Sequence, residues 1–211
     1  MLKRNFTALN LLFSPFLQSK SHSKKVAYIG LFTAFLIVVN SFISFPIGDV
    51  QFSLTMLASM LSGIILGPFA GFLSCFVADL IGYFINSGGL FYYFWVGIST
   101  SLFAFIAGLV FNFNRQKNGT LHLIIKALIT ILITFVICTV FINSTGFYIY
   151  NTNIGALTKA IEYAKQTFGS EISFLIYLAY RLIFKGQIFN SLFNYALFFA
   201  VIPVLKRLKL L

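Results

Sequence analysis

The chain has 211 residues, 59% of them hydrophobic and 9% charged, with a net charge of +11. Soluble domains carry roughly a quarter charged residues, so this composition excludes a water-soluble fold and makes lipid the solvent. The imbalance of 15 basic against 4 acidic residues then reads as the basic bias of membrane loops on one side, not as a nucleic-acid surface.

Residues 1–25 read as a cytoplasmic N-terminal arm. Its mildly apolar stretch NFTALNLLFSPFLQ is broken at Pro15 and lacks a small-residue cleavage signal, which suits an interfacial helix better than a signal peptide. A bilayer core needs about 20 apolar residues per helix. Stretches that approach this length occur at 26–45, 53–66, 69–85, 90–112, 121–143 and 173–204. The second is short, and only Gly67-Pro68 separates it from the third. The last is long enough to begin above the membrane or to break near Gly186. Together they predict an all-α integral membrane protein, a six-transmembrane-helix bundle over 26–207 with both termini cytoplasmic.

The charges support that count. With six spans, Lys3, Arg4, Lys20, Lys24, Lys25, Arg115, Lys117, Lys126, Lys206, Arg207 and Lys209 all fall on one side, which the positional rule makes the cytoplasm. Asp49, Lys159, Glu162, Lys165 and Glu171 fall on the other. An odd span count would scatter the basic residues.

Three ionisable residues then sit inside apolar runs near the outer side: Asp79, Arg181 and Lys185. A charge there costs a few kcal/mol or more and faces a partner or a cavity. Two readings are open: a structural ion pair of Asp79 with Arg181 or Lys185, and a polar cavity for a ligand. At about 100° per residue Arg181 and Lys185 share a helix face, with Gln187, Asn190 and Asn194 roughly opposite. A bend at Gly186 brings both sets toward one interior. Small residues recur every four positions, as Ser59, Gly63, Gly67, Gly71 and as Ala70, Ser74, Ala78, Gly82. That spacing predicts a tight bundle interior. Ala27, Gly30 and Ala34 form a similar stripe near the inner end of the first span, a candidate docking face. The segment ALTKAIEYAKQTFG reads as an amphipathic helix ending at Gly169, a lid or an interfacial spacer. Cys75 and Cys138 read as small core residues, and no Cys/His cluster suggests a metal or other cofactor. No GxxxxGK[ST] phosphate loop or HExxH motif is present.

The block LTMLASMLSGIILGPFAGFLSCFVADLIGY resembles the substrate-binding S components of energy-coupling factor vitamin transporters, their folate family most of all. In that family a short second helix enters a GP turn, and the third helix ends in an acid with an Ile-Gly-Tyr-like tail, matched by Asp79, Gly82 and Tyr83. Asn143-Ser144 is similar to the family's Asn-Thr pair, and Arg181 with Lys185 to its arginine and nearby lysine. The resemblance implies a vitamin-binding subunit, not an enzyme, with folate or a related vitamin taken from outside. It also implies a transmembrane T subunit and two ATPase subunits as partners. The T subunit would meet the chain at Ala27, Gly30 and Ala34. Within such a site Tyr83, Tyr92, Tyr93 or Trp95 can stack a ring, and Arg181 and Lys185 can meet carboxylates. Asp79 or Asn143 can hydrogen-bond a heterocycle, and Gln187 is a further candidate for the site. Alternatives are an S component for pantothenate, cobalamin or a pyrimidine precursor, a membrane enzyme, or a scaffold protein.

Overall fold

The structure, a computed structural model, describes residues 11–47, 50–86, 91–112, 119–169, 171–208 and 210. The topology argument drew on Lys3, Arg4, Asp49, Arg115, Lys117 and Lys209, which lie outside the described residues. A short α1 (Pro15–Gln18) precedes α2 (His22–Phe42). A hairpin follows, β1 (Ser44–Ile47) with β2 (Val50–Ser53), then α3 (Thr55–Leu66), α4 (Pro68–Asn86) and α5 (Phe94–Asn112). The longest helix, α6, runs over Thr120–Asn153, and α7 covers Thr158–Phe168. Next come α8 (Phe174–Phe184) and α9 (Gln187–Arg207). Five of these, α2, α4, α5, α6 and α9, are long and apolar enough to cross a membrane, while α3 and α8 are shorter apolar helices.

Helix α3 is too short to span alone, and the rest of the chain completes it. At 1.5 Å per residue its 12 residues rise about 18 Å, against a hydrocarbon core of about 30 Å. Nine of its residues are buried, so lipid touches little of it. Lipid offers no water to satisfy helix ends, and other segments do so instead. At the N-terminus the Leu57 N–H donates to Asn194 Oδ1 from α9 at 3.0 Å. At the C-terminus the Ser14 N–H donates to the Leu66 carbonyl at 2.8 Å, and the Ser14 hydroxyl to the Ile65 carbonyl. The described part of the arm is thus docked on the bundle, with Leu17 fully buried against Leu66 and Ala70. Gly67 lies between α3 and α4 at φ 113°. A Cβ there would collide with the Phe13–Ser14 backbone, so glycine serves both the turn and the close approach. Pro68 then opens α4, where a missing N–H costs nothing.

The small-residue stripes are interior. Ser59, Ala70, Ser74 and Ala78 are buried. A Cβ on Gly63 would enter the Ala104 backbone of α5, and one on Gly108 would lie 2.7 Å from the Gly63 carbonyl. Helices in lipid associate largely through such close van der Waals packing. Met60, Ile64, Phe103 and Phe198 fill the centre of the bundle.

The β-hairpin departs from the all-α expectation. SFPIGDVQFS alternates apolar and polar residues around Gly-Asp, a period-two signal that the reading of 26–45 as a continuous helix overran. Ser44 pairs with Ser53 and Phe45 with Phe52. Phe45, Phe52 and Phe193 of α9 pack with centroids 5.7–6.4 Å apart. The Ser53 N–H donates to Asn190 Oδ1 at 3.0 Å, and Asn194 Nδ2 to the Ser53 carbonyl at 2.7 Å. Two asparagines of α9 therefore hold both the hairpin and the start of α3.

Candidate ligand-binding site

The hairpin end of the bundle encloses a cavity of about 490 Å³. Its walls include Asn40 from α2, Ser53 and Thr55 around β2 and α3, Asp79 from α4, and Thr100 and Phe103 from α5. Asn143 and Phe147 of α6, Arg181 of α8, and Lys185, Gln187 and Asn190 around the α8–α9 break complete it. Five sequence-predicted site residues, Asp79, Asn143, Arg181, Lys185 and Gln187, thus meet in one space.

Asp79 answers to neutral donors. Asn40 Nδ2 donates to Oδ1 at 3.1 Å, and the Tyr92 hydroxyl to Oδ2 at 2.8 Å. Thr55 Oγ1 donates in turn to Asn40 Oδ1 at 3.2 Å. Burial, then the nearby carboxylate, pushes the Tyr92 phenol upward, so it stays protonated and donates. Gly97 gives this pair room, since a Cβ there would lie 2.8 Å from Asp79 Oδ2. Among the described residues no ion pair joins Asp79 to Arg181 or Lys185.

Arg181 is held elsewhere. Its Nη1 donates to the Asn143 carbonyl at 3.0 Å, and its guanidinium lies 4.2 Å from the centre of the Phe147 ring. Asn143 and Arg181 both sit on widened turns, because α6 is π-helical over Phe135–Ser144 and α8 from Tyr180 to Phe184. The Ser144 hydroxyl reaches the Thr139 carbonyl five residues back at 2.9 Å, as that register allows. Such segments concentrate at functional sites. Asn143 Nδ2 donates to Ser99 Oγ at 2.9 Å, while its buried Oδ1 accepts nothing among the described residues. Gly186 adopts φ 68°, ψ 17° and separates α8 from α9. The break turns Arg181, Lys185, Gln187 and Asn190 toward the same cavity, whereas Asn194, grouped with them from sequence, bonds to Ser53 and Leu57 instead.

A second cavity of about 380 Å³ adjoins the first, sharing Phe147, Arg181, Lys185 and Gln187. Its outer wall includes Leu157, Lys159 and Ala160 from the start of α7. Helix α7 ends at Gly169 in the left-handed region, φ 61°, and packs through Ala160 on Tyr177 and Tyr180.

Tyr83 and Trp95 are not among the cavity-lining residues. Tyr83 packs on Tyr92 at 5.1 Å, and Trp95 on Phe147 at 5.6 Å. Trp95 belongs to an aromatic cluster with Tyr93 and Tyr150. Ala27, Gly30 and Ala34 lie on the exposed face of α2, and nothing is within 4 Å of a Cβ built on Gly30. Sequence reasoning missed Asn40, Thr55, Thr100 and Phe147. Asn40 was legible as a lone amide in the first span; the others carried no signal beyond ordinary helix composition.

A multi-pass helical membrane bundle with a polar cavity among its helices has the form of a binder of small polar molecules. The sequence model of the ECF-type riboflavin transporter S component matches residues 20–182, and the chain belongs to that family. Its members are substrate-binding subunits of transporters, not enzymes. The fold is similar to that of the S component of a bacterial ECF transporter, at 18% identity over 90% of this chain and 99% of that one, TM-score 0.56. It is also similar to FolT in a crystal structure with folic acid bound, at 18% identity over 83% of this chain and 92% of that one, TM-score 0.51. No curated protein sequence matches it.

Proposed function

We propose that this chain is the vitamin-capturing S component of an ECF transporter, and that its ligand is a flat heterocycle with a carboxylate-bearing tail, folate being the first candidate. The observation that carries this is the polarity of one cavity. At one wall Asp79, braced by Asn40 and Tyr92, offers acceptors to ring N–H groups. At another wall Arg181 and Lys185 are free of any acidic partner among the described residues and suit carboxylates. Asn143 Oδ1 adds an acceptor unused among the described residues. Tyr83 and Trp95 act through Tyr92 and Phe147, fixing the walls that the ring lies against.

The bundle crosses the membrane six times, with α3 as a short shielded crossing and α8–α9 as one broken crossing. Both termini are cytoplasmic, residues 1–25 form the arm, and 26–207 form the substrate-binding domain. The cavity then opens outward. Energy comes from partners, a transmembrane T subunit and two ATPases, and the bare Ala27/Gly30/Ala34 face of α2 is where the T subunit meets the chain.

A second reading, riboflavin, follows from the name of the matching family. Riboflavin carries no carboxylate and leaves Arg181 and Lys185 without a counter-charge. The chain has one tryptophan, Trp95, and it touches a cavity wall, so its fluorescence reports occupancy. Titration with folate should quench it saturably, and riboflavin should compete poorly. Saturable riboflavin binding with no response to folate would overturn the carboxylate reading.

A further inference from the structure

At the end of the bundle away from the candidate site, α6 and α9 part to leave an apolar groove of about 410 Å³. Leu123, Ile124, Phe199 and Ile202 line it, with Pro203 on α9. Lys206 and Arg207 stand at its mouth beside Thr120, and Lys206 Nζ donates to Thr120 Oγ1 at 3.4 Å. A second apolar cavity, about 510 Å³, continues along the same seam between Leu128 and Tyr195. Beside this second cavity, the Thr134 and Tyr195 hydroxyls meet at 3.3 Å.

We infer that this groove binds one anionic phospholipid, its acyl chain between α6 and α9 and its phosphate on Lys206 and Arg207. The groove lies within membrane-spanning helices, so hydrocarbon is what surrounds it. Its mouth is cationic, and the four acidic residues of the chain, Asp49, Asp79, Glu162 and Glu171, belong to neither helix. Both cations are exposed, and their charge therefore has no counter-ion along α6 or α9. Basic pockets between transmembrane helices at the cytoplasmic interface take anionic head groups. Gly119 gives the N-terminus of α6 no side-chain cap, so the positive pole of that helix faces the same rim. The proline at 203 removes the N–H that the Phe199 carbonyl would otherwise receive, and both residues line the groove. A neutral lipid fills the apolar part equally well but wastes the two cations.

The test is native mass spectrometry of the protein released from nanodiscs of equal phosphatidylglycerol and phosphatidylcholine. The wild-type chain should retain one phosphatidylglycerol in preference. The Lys206→Gln, Arg207→Gln double variant alters only exposed side chains and should lose that preference by up to roughly twenty-five-fold, since each basic residue near an anionic surface is worth about a factor of five. Ile124→Trp fills the groove from a position 43% exposed and should lose retained lipid of both kinds with an unchanged melting profile. Millimolar inorganic phosphate should not displace the lipid. Equal retention of the two lipids by the wild type, an unaltered preference in the double variant, lipid retention in Ile124→Trp, or displacement by phosphate would each overturn the inference.

Discussion

Asn194→Leu removes the polar side chain that ties the candidate site to the bundle while keeping its branching and number of heavy atoms. Asn194 is fully buried. It accepts from the Leu57 N–H at 3.0 Å, and donates to the Ser53 carbonyl at 2.7 Å and the Asn190 carbonyl at 2.9 Å. Each bond contributes about 0.5–1.5 kcal/mol net, and an orphaned buried N–H costs about 1–3 kcal/mol. The Asn190 carbonyl is within a helix and loses least. The expected loss is therefore about 2–4 kcal/mol, dominated by the first turn of α3 and by the hairpin. For a chain of this size 1 kcal/mol moves the midpoint by about 2–4 °C, so the purified variant should melt roughly 5–15 °C lower. Hydrogen exchange, followed in parallel, should rise at Ser53 and Leu57 before it rises in α5. A midpoint within about 2 °C of wild type, with Leu57 still protected, would refute the claim that α9 caps α3.

Other expectations follow from the same geometry. Arg181→Gln should weaken folate binding roughly ten- to hundredfold, the value of a charge-assisted hydrogen bond of about 1.5–3 kcal/mol. Lys185→Gln should act in the same direction by less, since an ammonium lacks the bidentate fork; unchanged affinity in both would remove carboxylate recognition from this wall. Because Asp79 bonds to Asn40 and Tyr92 and not to Arg181, the melting shifts of Asp79→Asn and Arg181→Gln should add in the double variant. Recovery of stability there would restore the ion-pair reading. Gly63→Ala should destabilise strongly by driving a methyl into the Ala104 backbone, whereas Gly30→Ala, with nothing within 4 Å, should be close to neutral by thermal melting. Gly30→Trp should abolish energised uptake while sparing ligand binding by the isolated protein; loss of both would make this face part of the packing.

The apolar helices were legible because lipid leaves composition few choices, although five, not six, are long enough to cross alone. Gly67-Pro68 marked the α3–α4 turn, and the four-residue stripes marked the glycine crossings. Asp79, Arg181 and Lys185 stood out as charges in apolar runs, and the polar faces on either side of Gly186 announced the break. The hairpin was hidden because its alternation is only a few residues long and adjoins a strongly helical run. The π-helical register of α6 has no composition signal, so the extension of that helix to Asn153 and the exact placing of Phe147 over Arg181 were out of reach. Asn194 was visible as a polar residue in a membrane helix. Its actual partners, 137 and 141 positions away, depend on a fold that periodicity does not encode.

The most direct measurement is the identity of the small molecule that the purified protein holds. Protein extracted in mild detergent, after growth with folate and riboflavin both supplied, would be denatured and its released ligand identified by mass. The account predicts one molecule of a carboxylate-bearing, ring-containing vitamin per chain, folate first, and its loss from the Arg181→Gln variant. Release of riboflavin instead, or of a carboxylate-free molecule that Arg181→Gln retains in full, would contradict it.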